Sequence, residues 1–152
     1  MTALLFLLLA LQPDPDEAKD FEARELAGST VRLSDLTGKV VLLNFWGIWC
    51  KSCRQEIPHL NGLDREWRER GLVVLGADYG DAPEDLAPFV KELEMSYPVL
   101  LDDGLADEYE ILVYPTTVVI DRKGRIRMRV EGYRKETFEE MKSLVNLLLD
   151  EK

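Results

Sequence analysis

Residues 45–60 read FWGIWCKSCRQEIPHL and hold both cysteines of the 152-residue chain, three positions apart. Just ahead of them, KVVLLNFW at 39–46 is almost continuously apolar, β-branched or aromatic, the composition of a strand buried on both faces. Just behind, Ile57, Leu60, Leu63 and Trp67 mark one stripe of a helix reaching to about Arg70. The cysteines therefore sit where a buried strand hands over to a helix.

That position narrows what two sulfurs can do. A staple across two intervening residues removes little chain entropy, because the loop it closes is so short. A structural zinc ion takes four ligands, and the chain adds only His59 to its two cysteines. Covalent haem attachment needs histidine directly after the second cysteine, and Arg54 stands there. A redox pair fits better. Unpaired N–H groups at a helix start carry partial positive charge, which favours a thiolate at Cys50, and Lys51 and Arg54 act in the same sense. Cys53, one turn deeper, is expected to stay a thiol and resolve the mixed disulfide that Cys50 forms.

Working outward, GLVVLGADY at 71–79 reads as a second buried strand. Asp81 with Glu84 forms a capping pattern for an amphipathic helix over 82–94, its stripe made by Leu86, Phe89, Val90 and Leu93. YPVLLD is a short strand and DGLADEYEI a helical turn. TTVVID and IRMRVEG flank a turn at Arg122–Arg125 as a hairpin, and Phe138, Met141, Leu144, Val145 and Leu148 trace a last helix over about 135–149. Two short strands around Ala27-Gly28-Ser29 come before all of this. Long helices alternating with buried strands, then a hairpin and a helix, predict a mixed α/β sheet covered on both faces.

Taken together, these segments resemble a known family. FWGIWCKSCRQEIP looks like the active-site segment of thioredoxin-fold proteins, and YPTTVVIDRKG at 114–124 looks like the segment in which that fold carries a cis-proline facing the disulfide. The opening ELAGSTVRLSDLTGKVVLLNFW is similar to the TlpA/ResA-like thiol-disulfide oxidoreductases. The resemblance covers about residues 20–150. It implies a thioredoxin-like mixed sheet flanked by helices, with an N-terminal β-hairpin extension and a βα insertion. Cys50 and Cys53 become the exchanging pair, and Glu56 becomes the carboxylate that takes the Cys53 proton. Trp49, Tyr114 and Pro115 become the substrate-binding rim, with a cis Tyr114–Pro115 bond offering backbone to an extended substrate strand. Lys51 and Ser52 tune the potential, and Trp46 lies beneath. Asn44 stands where ordinary thioredoxins carry a buried aspartate, so any base must lie elsewhere.

The function expected from this is extracytoplasmic thiol-disulfide exchange. The family points to reduction of protein disulfides, for example in cytochrome c maturation, with a membrane thiol carrier as redox partner and no cofactor or metal. Two alternatives stand beside it. A thiol peroxidase would need Pro and Thr ahead of its cysteine, where this chain has Trp49 and Ile48. A redox-inert module would use only the Tyr114–Pro115 groove to hold a peptide. The net charge of −10 argues against a nucleic-acid partner, since phosphate binding needs a basic face. Neither paired carboxylates nor a Gly-rich phosphate loop suggests a hydrolase or a nucleotide site.

The ends and charged faces read more plainly. Residues 3–11 are apolar but too short to span a bilayer, which takes about 20. Residues 1–19 are expected to be an export-signal remnant or membrane tether with an acidic, proline-containing linker; an apolar N-terminus packed on the domain is the alternative. Residues 20–152 are the thioredoxin-like domain, expected to be monomeric. Arg125, Arg127 and Arg129 share one strand face, and Asp102, Asp103, Asp107, Glu108 and Glu110 form an acidic run; both are read as solvated surfaces.

Overall fold

The computed structural model describes residues 16–151, so the expected signal or tether lies largely outside the described residues. Two sheets carry the architecture. A small antiparallel pair, β1 (Glu22–Arg24) and β2 (Thr30–Arg32), is the expected N-terminal hairpin. The main sheet has β3 (Val40–Trp46), β4 (Leu72–Asp78), β5 (Val99–Leu100), β6 (Thr116–Ile120) and β7 (Ile126–Glu131), in the order β5-β4-β3-β6-β7. The strands β3, β4 and β5 run parallel, and β6 and β7 are antiparallel additions. Helices α1 (Lys51–Trp67), α2 (Pro83–Glu92), α3 (Leu105–Glu108) and α4 (Lys135–Asp150) complete it.

Every residue of β3 is buried, as its unbroken apolar run requires at the centre of a covered sheet. The period of two divides its side chains between two cores. Val41, Leu43 and Phe45 pack with Phe21, Leu105 and Tyr109. Val40 and Leu42 pack with Leu60, Leu63 and Trp67 of α1 and with Phe138, Met141 and Val145 of α4. Each such aliphatic or aromatic side chain contributes about 1.5–3 kcal/mol on full burial. Asn44 and Trp46 follow the same alternation and therefore face α1.

The end of this face is a third apolar cluster holding both cysteines, with Trp46, Ile57, Leu86, Phe89 and Val99. Trp46 stacks on Phe89 at 5.1 Å between ring centres. Its indole needs Gly76 on the neighbouring strand, because a Cβ there would lie 2.7 Å from Trp46 Nε1.

Four local expectations change. Asp81 does not cap α2: the N-cap is Ala82, with no side-chain hydrogen bond. The Asp81 carboxylate instead accepts from the Ile48 N–H at 2.9 Å, because parallel β3 and β4 end side by side and leave that N–H within reach. Arg54 pairs with Glu92 and lies over the Phe89 ring at 4.8 Å, so its charge is committed to α2 instead of the cysteines. Asp102 is not simply solvated, since its Oδ1 accepts from the N–H groups of Gly104 and Leu105 at 2.8 and 2.6 Å. The arginine face is partly engaged too. Arg127 bonds to Asp121 at 3.2 Å, and Arg129 bonds to the Tyr109 carbonyl at 2.8 Å.

Candidate active site

Cys50 is the N-cap of α1, in extended conformation, and its Sγ accepts from the Cys53 N–H at 3.2 Å. The two cysteines are joined in a disulfide. Both sulfurs are well covered, Cys50 at 4% exposure and Cys53 at 0%. Ser52 lies alongside, its Oγ 3.6 Å from Cys50 Sγ, and Lys51 points to solvent. Helix α1 runs unbroken through Pro58.

Glu56 follows Cys53 by three positions, so both lie on one face of α1. That face turns towards the sheet, and Glu56 is buried. The Asn44 amide donates to Glu56 Oε2 at 3.0 Å and to Thr117 Oγ1 at 2.8 Å, and the Thr117 hydroxyl donates to Oε1 at 3.3 Å. Strand register builds this triangle, because Asn44 and Thr117 are direct partners across β3 and β6. Burial pushes the Glu56 carboxyl up to about 7, while the two hydrogen bonds pull the other way. A buried acid in that range can take or release a proton near neutrality.

On the outer side, the Tyr114–Pro115 bond is cis, as the resemblance implied, and Pro115 is buried at the start of β6. Tyr114 packs against the cysteine cluster. Its ring meets Trp49 edge-on at 5.6 Å and Tyr79 at 4.9 Å. Large exposed apolar side chains among the described residues are Trp49, Tyr79, Leu112, Val113 and Leu147. All but Leu147 belong to the disulfide loop, the end of β4 or the segment leading to Pro115. Such a concentration marks a contact surface.

Sequence reasoning placed Cys50, Cys53, Glu56, Trp49, Tyr114, Pro115, Lys51 and Ser52 in this region, and the structure brings them around one disulfide. It missed Thr117 and Tyr79. Thr117 was open to discovery as an inward polar residue two positions after Pro115. Tyr79 gave no signal, since it reads as the last residue of a buried strand.

Residues 15–129 match the AhpC/TSA family. Over 127 residues the chain is 35% identical to thiol-disulfide oxidoreductase ResA of Bacillus thuringiensis subsp. konkukian, covering 82% of this chain and 73% of that one. The chain belongs to the AhpC/TSA family, among its ResA-like thiol-disulfide oxidoreductases. It is also 36% identical over 115 residues to the thioredoxin-like protein YneN of Bacillus subtilis, covering 73% of this chain and 67% of that protein. A DsbE-type thiol:disulfide interchange protein from Chlorobium tepidum superposes with a TM-score of 0.83 at 29% identity, over 88% of this chain and 96% of its own. The exposed lipoprotein thioredoxin Etrx1 of Streptococcus pneumoniae gives 0.74 at 30% identity, over 86% of this chain and all of its own. Around the Cys50–Cys53 disulfide of this ResA-like chain, the buried Glu56 and the exposed aromatic rim lie together.

Proposed function

We propose that this ResA-like protein is a dithiol reductant of protein disulfides outside the cytoplasm, and that Glu56 is the proton acceptor of its resolving step. In the reduced protein, the Cys50 thiolate attacks one sulfur of a substrate disulfide. A mixed disulfide forms, and the first substrate sulfur leaves as a thiolate. Cys53 then gives its proton to Glu56 and attacks Cys50 Sγ. The Cys50–Cys53 bond closes, the second substrate thiolate departs, and two electrons have passed to the substrate. Trp49, Tyr114 and Pro115 seat the substrate segment, and Lys51 and Ser52 adjust the potential. A membrane thiol carrier returns the pair to the dithiol, and apocytochrome c cysteines are a fitting substrate. Residues 1–19 serve as signal or tether for the domain over 20–152, which acts as a monomer. Likeness to a lipoprotein described as exposed supports that location.

The observation that carries this reading is the buried Glu56 beneath the pair, poised near neutrality. Two opposing effects on the Cys50 thiolate bear on the direction. The helix N-terminus stabilises it, by about 0.3–1 kcal/mol in ordinary exposed settings. Burial of the sulfur and the acid below disfavour it. A weakly stabilised thiolate would leave the reduced form ready to give up electrons, which is the direction proposed.

The midpoint potential tests direction. A value near thioredoxin's, about −270 mV, is expected; one near DsbA's, about −120 mV, would make the protein an oxidant instead. Insulin reduction tests the pair, with Cys50→Ser expected to be inactive and equal activity excluding the mechanism. Cys53→Ser should trap mixed disulfides on Cys50, and mass spectrometry would then name the substrates.

A further inference from the structure

Behind the disulfide loop lies a second acidic centre that the exchange chemistry above does not use. Asp78 ends β4, with Trp46 as its partner on β3, and the Tyr79 N–H extends the pairing to the Trp46 carbonyl at 2.8 Å. The chain then turns through Gly80, at φ +71°. Asp78 Oδ2 accepts from the Asp81 N–H at 2.8 Å, and Asp81 Oδ2 accepts from the Ile48 N–H at 2.9 Å. Ile48 stands two residues before Cys50. The backbone that delivers the attacking sulfur is thus moored to Asp81, and Asp81 is moored to Asp78.

Asp78 is almost fully buried, and its Oδ1 has no partner among the described residues. The Asp81 backbone is bonded to the Asp78 carboxyl, and the Asp81 carboxyl beside it raises the hold of Asp78 on a proton. Two carboxylates in such contact repel unless one proton lies between them. The other acid acting on Asp78 is Asp102, from the segment after β5, whose Oδ1 is held by Gly104 and Leu105. From β3, Trp46 offers no ionisable group, and in the oxidised protein Cys50 does not titrate.

We propose that Asp78 and Asp81 are positioning residues for disulfide exchange: one proton shared between their carboxyls holds the Asp81 carboxylate on the Ile48 N–H, and its loss frees the loop 47–49. Burial, and then the Asp81 carboxyl, push Asp78 up to about 8, so the proton is present at neutrality and leaves to solvent under mildly alkaline conditions. Above that range the buried Asp78 anion faces the half-buried Asp81 anion, and the Asp81 side chain swings away from Ile48. Trp49, whose indole lies over Gly47, moves with the loop. The inference rests on the disulfide-exchange activity and not on its proposed direction.

The test uses the oxidised protein, in which neither sulfur titrates, with Glu56→Gln to remove the other near-neutral acid. Carboxyl ¹³C and Ile48 ¹⁵N resonances are followed from pH 6 to 10. The Asp78 carboxyl and the Ile48 amide should shift together with one midpoint near 8. Asp81→Asn should lower the Asp78 midpoint by at least about one unit, because an anionic neighbour is removed. Asp78→Asn should abolish the Ile48 transition, since a neutral amide can hold Asp81 at every pH. In the otherwise native chain, the ratio of dithiothreitol reduction rates, wild type over Asp78→Asn, should then change at least about threefold between pH 6.5 and 9.5. An Ile48 resonance that stays flat, an Asp78 midpoint unmoved in Asp81→Asn, or a constant rate ratio would overturn the proposal. Asp81→Asn keeps it falsifiable should Asp78→Asn fail to fold.

Discussion

Glu56 and Asp78 are both carboxyls buried at the carboxyl end of the central strands, and their surroundings differ in kind. Glu56 meets two neutral donors, Asn44 and Thr117, which stabilise its anion against the cost of burial. Asp78 meets another acid. Desolvation is the larger influence in both, and it raises both. The partners then decide the use. Neutral donors let Glu56 exist in either protonation state without disturbing the backbone, which suits a group that passes a proton. An acidic neighbour makes the Asp78 proton part of the structure, which suits a group that holds a loop.

The largest effect that could break this comparison is kinetic. Glu56→Gln keeps the shape and one acceptor oxygen for Asn44, turns the other oxygen into an amide donor facing the Thr117 hydroxyl, and cannot accept a proton. Resolution of the mixed disulfide at pH 8 should slow by about 100-fold, the lower range for losing a general base. Single-turnover kinetics on a trapped mixed disulfide would measure it. A loss below threefold would place the proton acceptor elsewhere.

Stability gives the next effect. The folded Glu56 carboxyl keeps its proton up to about pH 7 and a free one only to about 4.5. Across that interval the folded state binds the extra proton, so the wild type loses stability as pH rises through it. Glu56→Gln lacks this penalty. Its stability relative to wild type should grow by up to about 3 kcal/mol between pH 4 and pH 9, at about 1.4 kcal/mol per unit. Urea denaturation of the oxidised proteins across that range would show it. A difference independent of pH would mean that Glu56 is not held in its protonated form.

Much of this arrangement was legible from local sequence, and the limit is instructive. The apolar run of β3 and the stripe of α1 fixed where the cysteines fall, because burial on two faces and a helical period both leave marks on consecutive residues. The family resemblance supplied Glu56 and the cis proline. What stayed hidden was set by which strands lie side by side. Asp81 followed by Glu84 looks like a helix cap to any local rule, yet parallel pairing of β3 and β4 brings Ile48 to it first. Thr117 acquires its role only through register with Asn44. Arg54 reads as an activator of Cys50 until Glu92, thirty-eight residues later, claims it.

A smaller change sharpens the account of the neutral donors. Thr117→Val removes the hydroxyl that donates to Oε1 while keeping the side chain's shape. One buried hydrogen bond to a charged acceptor is worth about 1.5–3 kcal/mol, and this 3.3 Å contact sits at the weak end. The Glu56 midpoint should therefore rise from about 7 by roughly one unit. Carboxyl ¹³C titration of the oxidised protein would read the shift, and a fall would reverse the sign of the partner effect.

The smallest expected effect separates surface from proton chemistry. Tyr79 lies between Asp78 and Asp81 in sequence, but its ring is exposed and meets the outer rim at Tyr114. Its backbone N–H, not its side chain, continues the β3–β4 pairing. Tyr79→Ala should therefore leave the carboxyl pair intact and remove only contact area for the substrate. Losing one rim aromatic is worth about 0.5–1 kcal/mol, so KM for a peptide disulfide should rise about two- to fivefold with kcat and its pH profile unchanged. A displaced pH profile would show that the ring supports the Asp78–Asp81 turn. The acid centre and the docking rim would then be one device instead of two.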